Sequence, residues 1–227
     1  MEYLTKRSKR KTLAIHITKN GLEVRAPLKM SQRYIDSFVS AKANWIQKKL
    51  EYMESLKTSE SKFKIDYGST ILFMGRDYII TALDENEDQR KIYLSDNEVK
   101  VAPGKTETEL KACLISFYKA YAKEQIFNRV KYYCRIMKIP IPKVRITSAK
   151  TRWGSCSSEG NINFSWLLVM ADANAIDYVV IHELAHLTHH NHSEKFWKLV
   201  KKYCPEFWIH IKTLITLGKK LQTEDWK

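Results

Sequence analysis

The stretch VVIHELAHLTHHNHSEKFW, Val179 to Trp197, holds five histidines within eleven residues. One ion cannot take five ligands from so short a segment, so its meaning turns on which of them converge. Ile176, Val180, Leu184 and Leu187 recur at helical spacing, and a helix is expected from about Asn174 to His190. Residues four apart on a helix lie about 40° round the axis and about 6 Å along it, so His182 and His186 can reach one ion. Glu183 lies within about 60° of His186 and can face the open side of that ion without binding it. This is the H-E-x-x-H arrangement, two metal ligands and a carboxylate that takes a proton from water activated at the metal. Two buried histidines and a buried glutamate without partners would cost a few kcal/mol, and a metal satisfies all three together.

A catalytic zinc needs a third ligand. His189 shares the helical face but stands about 10.5 Å along the axis from His182, so three ligands would be strung in a line. His190 is rotated about 80° from His182. His192 is favoured if the helix ends first: Asn191 can take the left-handed conformation, and Ser193 can cap a following helix. Glu194 and Glu206 are the alternatives to His192, and His189 and His190 are expected to be exposed or to support the ligands from behind.

The 227 residues are enough for a substantial core without disulfides. The four cysteines, Cys113, Cys134, Cys156 and Cys204, form no C-x-x-C pair and read as reduced thiols. No apolar run reaches the roughly 20 residues of a membrane span, and the basic N-terminus leads into a strand-like alternation rather than a signal-peptide core. Together these point to a cytoplasmic protein. The formal charge is +14, and residues 1–50 carry twelve Lys or Arg against three acids. Such an excess attracts polyanions, which makes nucleic acid a candidate partner. Arg33, Tyr34, Lys42, Trp45, Lys48 and Lys49 interleave charge with aromatic rings, as a single-strand grip would, or as an ordinary amphipathic helix would.

An α+β organisation is expected. TLAIHI and LEVRAP form a hairpin about Asn20-Gly21, and Ser31 caps a helix to about Lys57, with Ile35, Phe38, Val39, Ala43, Ile46 and Leu50 on one face. The polar stretch Thr58 to Lys62 ends it. STILFM, DYIITAL, KIYL and EVKVA read as strands, and Pro103-Gly104 as a boundary between a β-rich part, 1–104, and an α+β part, 105–227. Thr106 and Glu109 form a capping box for a long helix to about Met137, stopped by IPIP. A strand VRITSA, the tight segment TRWGSCSSEG and a strand NINFSWLL precede the histidine helix, and two shorter helices close the chain.

H-E-L-A-H followed by N-H-S-x-x-F-W, with T-R-W-G-S-C-S-S and N-I-N-F-S-W before it and RSKRKTLAIHI, V-R-A-P and A-N-W-I-Q-K-K-L in the first half, resembles the YgjP-like family of predicted zinc metallopeptidases. The resemblance implies a zincin-like catalytic domain, zinc held by His182, His186 and His192, and Glu183 as the catalytic residue. The histidine spacing is also similar to that of SprT/Spartan and WLM-type proteases, some of which digest proteins crosslinked to DNA. The chain departs from the family at Ser165-Trp166-Leu167, where Asn-Trp-Arg or Asn-Trp-Lys is usual, and at Asp172, where Pro is usual.

Further residues divide into functional and structural candidates. In NINFSWLL, Ile162, Phe164, Trp166 and Leu168 alternate with Asn161, Asn163 and Ser165, and an edge strand above the metal helix would bind an extended peptide there. Arg152 is a candidate substrate contact, Tyr178 and Tyr203 are candidate oxyanion donors, and Cys156, His16 and His210 read as structural. The leading function is a zinc-dependent peptidase acting on proteins or peptides. A hydrolase of nucleotides or phosphoesters is the second reading, and a nucleic-acid-binding module with structural zinc the third, which Glu183 argues against because a structural site closes with four ligands.

Overall fold

Alternating apolar residues in LEVRAP organise the N-terminal part of the chain. The structure is a computed structural model and describes residues 2–18, 21–60 and 63–226, of which 52–60 by backbone alone. β2 (Ala14–Thr18) and β3 (Gly21–Pro27) pair antiparallel down to Thr18↔Gly21, as the hairpin expectation requires, although Asn20 lies outside the described residues. β3 is the central strand, because β1 (Leu4–Ser8) joins its other side in parallel. That strand, LTKRS, is largely solvated and carries no apolar alternation, so nothing in the sequence marked it. Leu22, Val24 and Ala26 of β3 form a small core with Ile35, Val39 and Ile46. The last three come from two helices rather than one, α1 (Gln32–Ala41) and α2 (Ala43–Glu60), separated at Lys42. Ser31 caps α1 by accepting the Tyr34 N–H at 3.3 Å. Part of the basic excess is spent inside this unit. Lys6 and Arg25 close on the buried Glu23 at 2.5 and 2.7 Å, and Arg7 donates to the Met30 carbonyl at 2.5 Å.

A second compact unit begins at Phe63 and runs to the end of the described chain. Its first sheet has the order β4 (Thr70–Phe73), β5 (Arg76–Ala82), β7 (Glu98–Val101), β6 (Tyr93–Ser95). Ile71, Phe73, Ile80, Val99 and Val101 face the same core as α3 (Glu107–Met137), whose buried residues run Leu110, Leu114, Tyr118, Ala122, Ile126, Val130 and Cys134. Both halves of the expected capping box are present, with the Glu109 carboxylate accepting the Thr106 N–H at 2.9 Å and Thr106 Oγ1 accepting the Glu109 N–H. Tyr118 ties the helix to the sheet by donating to the Leu72 carbonyl at 2.8 Å. The chain therefore divides after Lys62, and the expected break at Pro103-Gly104 is instead a tight turn within one unit, with Gly104 at φ 73°. Strands that bury one face against α3 cannot form a separate domain.

The second sheet has the order β8 (Val144–Thr147), β10 (Ile162–Ser165), β9 (Gly154–Cys156). The expected strand NINFSWLL ends at Ser165, and Trp166–Met170 turn into a 3-10 helix buried on every side. A continuous apolar run has no solvent face to sustain strand alternation, and Ser165 Oγ caps the new helix by accepting the Leu167 N–H at 3.3 Å. Met74 and Gly75, in the turn after β4, donate their N–H groups to the Val169 and Met170 carbonyls at 2.8 and 3.1 Å. The turn sits so close that a Cβ on Gly75, already at φ +76°, would meet Asp172 Cβ at 2.8 Å. Asp172 caps α4 (Ala173–Ala185), accepting the Ala175 N–H at 2.9 Å, so the departure from proline retains a helix start. The chain closes with α5 (Glu194–Tyr203) and α6 (Phe207–Gln222). Three small mixed sheets and six α-helices make up the described residues, consistent with a mixed α and β class. None of these helices is long and apolar enough to cross a membrane.

Candidate metal centre

α4 delivers the first two imidazoles from a helix whose remaining faces are buried. Ile176, Val180, Ile181, Leu184 and Ala185 are at most 1% exposed, which fixes the rotation of the helix and leaves His182 and His186 on its open side. The helix ends at His186, earlier than the expected His190, because the Leu187 and Thr188 N–H groups turn back to the Leu184 and Ala185 carbonyls. The chain then reverses before α5, and His192 returns from that loop towards the helix.

The three rings face one another, with centroids 5.0 Å apart for His182 and His186, 5.1 Å for His182 and His192, and 4.7 Å for His186 and His192. One nitrogen from each lies within 4.8 Å of the others. The Nε2 atoms of His182 and His192 are 3.2 Å apart. Nitrogen ligands about 2.0–2.1 Å from a tetrahedral zinc sit about 3.3 Å from one another, so this spacing fits such an ion. The far nitrogens are already engaged. His186 Nδ1 donates to the His189 carbonyl at 3.1 Å, which leaves its Nε2 lone pair for a metal, and His182 Nδ1 meets the Tyr178 hydroxyl at 3.3 Å, which turns its Nε2 towards His192. Burial, reinforced by the neighbouring His186 and His192, pushes His182 down to about 4. Burial also lowers His186, with the His189 carbonyl opposing it. Both are therefore neutral at pH 7. Phe196 lies against all three imidazoles at 4.6 to 5.0 Å between centroids, and Trp197 stacks on His192 at 5.7 Å. Phe196 and Trp197 thus pack directly on the histidine rings, whereas Trp208 is 46% exposed.

Glu183 projects beside this group and is 6% exposed. Among the described residues its Oε2 has no hydrogen-bond partner, and burial pushes the carboxyl up to about 7 against the pull of the Arg152 charge. Gly154 of β9 presses on it, since a Cβ there would stand 2.6 Å from Glu183 Cγ and Oε1. A cavity of about 510 Å³ opens over Glu183 and the three histidines, with Gly154–Ser158 along its rim and His190 at one side. A larger cavity of about 600 Å³ lies elsewhere, between Gln89–Ile92 and α3, away from any converging ligand set. Among the described residues no fourth His, Cys, Asp or Glu joins the three-histidine group, Glu194, Glu206 and Cys156 included.

The remaining candidates separate. Arg152, Asn163 and Ser165 line a smaller pocket of about 260 Å³ that shares Gly154 and Ser155 with the main cavity. Ser165 is 1% exposed and spends its hydroxyl on the Ala149 carbonyl at 2.6 Å, so it is a structural residue. Asn161 stands in the β9–β10 turn, bonded to Glu159 at 3.1 Å, away from the cavity. Tyr178 lies behind His182 rather than over the reacting side, and Tyr203 donates to the Ile136 carbonyl at 3.4 Å, so neither is placed as an oxyanion donor. β10 is not an edge strand, because β8 and β9 occupy both its sides. The edge beside the cavity is β9, a three-residue strand with no apolar alternation to announce it.

A family model described as YgjP-like, metallopeptidase domain, matches residues 11–216. The chain belongs to the YgjP-like metallopeptidase family. It is accordingly a metallopeptidase, and the family implies a metal and a protein or peptide substrate. Two solved structures are similar over 40% of this chain. One is the metallopeptidase zymogen of Pyrococcus abyssi abylysin, at 27% identity over 95% of that chain with a TM-score of 0.36. The other is the metallopeptidase zymogen of Methanocaldococcus jannaschii jannalysin, at 21% identity over 96% of that chain with a TM-score of 0.35. Comparison with curated proteins finds none that matches.

Proposed function

We propose that His182, His186 and His192 hold a zinc ion and that Glu183 is the general base of peptide-bond hydrolysis. The observation that carries this reading is the meeting of three imidazoles beside a buried carboxylate oxygen that has no partner among the described residues. When bound, zinc supplies Lewis acidity towards a carbonyl oxygen and makes water ionise near neutral pH. Glu183, held at about 7, can take the proton from that water at Oε2 and give it to the leaving amine nitrogen. His182 and His186 keep their orientation through Tyr178 and the His189 carbonyl, while Phe196 and Trp197 exclude water from behind the rings.

Extended substrate is proposed to pair with β9. The Ser165 N–H donates to the Trp153 carbonyl at 2.8 Å and the Ser157 N–H to the Asn161 carbonyl at 2.9 Å. In an antiparallel ladder of this register, Ser155 pairs inward with Asn163, and the main-chain groups of Gly154 and Cys156 turn to the open edge. A peptide added there runs past Glu183, because Gly154 touches it.

The test is hydrolysis of an unfolded protein by purified wild-type chain, chelator-treated chain, and chelator-treated chain given zinc. Activity should vanish with chelation, return with zinc, and fall by about 10²–10⁴ in Glu183→Gln while zinc stays bound. Full hydrolysis by Glu183→Gln, or by the metal-free chain, would overturn the assignment.

A further inference from the structure

The outer face of the β8-β10-β9 sheet carries hydrogen-bond donors that have no acceptor among the described residues. Ser155 and Asn163 are direct register partners, so their side chains stand together on the face opposite the buried Ile162 and Phe164. Arg145 is the next partner along the same row, on β8, and is exposed. Arg152, also exposed, lines a pocket of about 260 Å³ together with Ser155 and Asn163. That volume is below the roughly 300–1,000 Å³ of pockets for drug-sized ligands and suits a single side chain. The hydroxyls deeper in it are spent, Thr147 on the Phe164 carbonyl and Ser165 on the Ala149 carbonyl. Arg152 is the pocket's one charged lining residue, and among the described residues neither Arg152 nor Arg145 has a carboxylate within 4.0 Å. A concave surface lined by one guanidinium and by no acid favours a carboxylate.

We propose that this pocket is a specificity subsite for a carboxylate of the substrate, so that peptides with Asp or Glu beside the cleaved bond are preferred. The inference rests on the peptidase reading above. A peptide paired with the open edge of β9 sends alternate side chains to the two faces of the sheet. The residue opposite Ser155 points to the Arg152 side, while its neighbours pass Gly154 and Glu183. Arg152 supplies the charge-assisted bond, and Ser155 and Asn163 supply further donors. A free C-terminal carboxylate presents the same chemistry and reaches the same pocket if the cleaved bond is near a chain end.

The test compares zinc-loaded wild-type and Arg152→Gln chains on fluorogenic peptides that differ at one position at a time, Glu against Gln against Lys, and C-terminal carboxylate against carboxamide. Wild type should favour the acid over the amide by about tenfold to a hundredfold in kcat/KM, chiefly through KM, and Arg152→Gln should bring that ratio close to one. Arg152→Glu should turn the preference towards Lys. A preference seen with internal Glu identifies a side chain as the occupant, and one seen only with the free terminus identifies the terminus; either supports a carboxylate subsite. Equal rates for acid and amide in wild type would overturn the proposal. So would a uniform loss on every peptide in Arg152→Gln with the ratio unchanged, which would place Arg152 in support of Glu183. Fluorescence anisotropy of the same peptides on Glu183→Gln protein separates the two readings. A carboxylate preference in binding without cleavage by wild type sinks the peptidase assignment alone, and cleavage without the preference sinks the subsite alone.

Discussion

Replacing Glu183 by Gln should make the metal-free chain more stable, and most so at alkaline pH. The carboxyl is 6% exposed, its Oε2 is unpartnered among the described residues, and burial raises it from 4.5 to about 7. Each pH unit of that rise corresponds to about 1.4 kcal/mol, so the ionised carboxylate costs the fold about 3 kcal/mol. The sign follows from proton binding. Between pH 4.5 and about 7 the folded chain holds a proton that the unfolded chain has released, so stability falls as pH rises through that window. Below it both states are protonated, and above it both are ionised with the full cost present. Gln carries no charge at any pH, so the stability difference should grow from near zero at about pH 4.5 to about 3 kcal/mol above about pH 7. His182, neutral when folded because it is held down to about 4, titrates in both proteins and cancels in the difference. Urea unfolding of chelator-treated wild type and variant across that range measures it directly. Added zinc should shrink the gap, because a cation beside the carboxylate offsets its burial. A variant no more stable than wild type at about pH 8, or a gap that ignores pH, would refute the reasoning.

Two further substitutions probe the supports of the site. Gly154→Ala should lower kcat by about tenfold to a hundredfold with zinc content intact, because its Cβ would stand 2.6 Å from Glu183 Cγ and displace the carboxylate; steady-state kinetics beside metal analysis checks this, and an unchanged kcat contradicts it. Tyr178→Phe removes the hydroxyl 3.3 Å from His182 Nδ1 and should weaken zinc binding by about 10–100-fold, read by competition with a calibrated chelator. Retained affinity would leave Tyr178 a packing residue.

Most of the helical scaffold was legible because local rules were obeyed. Thr106 and Glu109 announced the start of α3, and the IPIP run announced its end. His182, Glu183 and His186 were legible as a set because helix geometry alone brings them to one side, and His192 followed from the need for a new direction of approach. What stayed hidden lies in contacts between elements. β1 is charged and solvated, and β9 is three residues long, so neither shows a period. The edge role passed from β10 to β9 because pairing order is set by tertiary packing and not by alternation within one strand. Asn161, Tyr178 and Tyr203 have the right chemistry for a site, yet their partners, Glu159, His182 and Ile136, are visible only in three dimensions. The closeness of Gly154 to Glu183 joins residues 29 positions apart, and a glycine in TRWGSC reads from sequence as an ordinary turn. The basic N-terminal excess was legible as charge but not as a target, because Lys6, Arg7 and Arg25 are engaged within their own unit.

The most direct measurement of the central claim is zinc content per chain in wild type and in four single alanine variants, at His182, His186, His189 and His192. Wild type and His189→Ala should each bind one zinc per chain, since only the backbone carbonyl of His189 touches the ligand set. His182→Ala, His186→Ala and His192→Ala should each lose it. Full zinc in His192→Ala, or its loss in His189→Ala, would contradict the account.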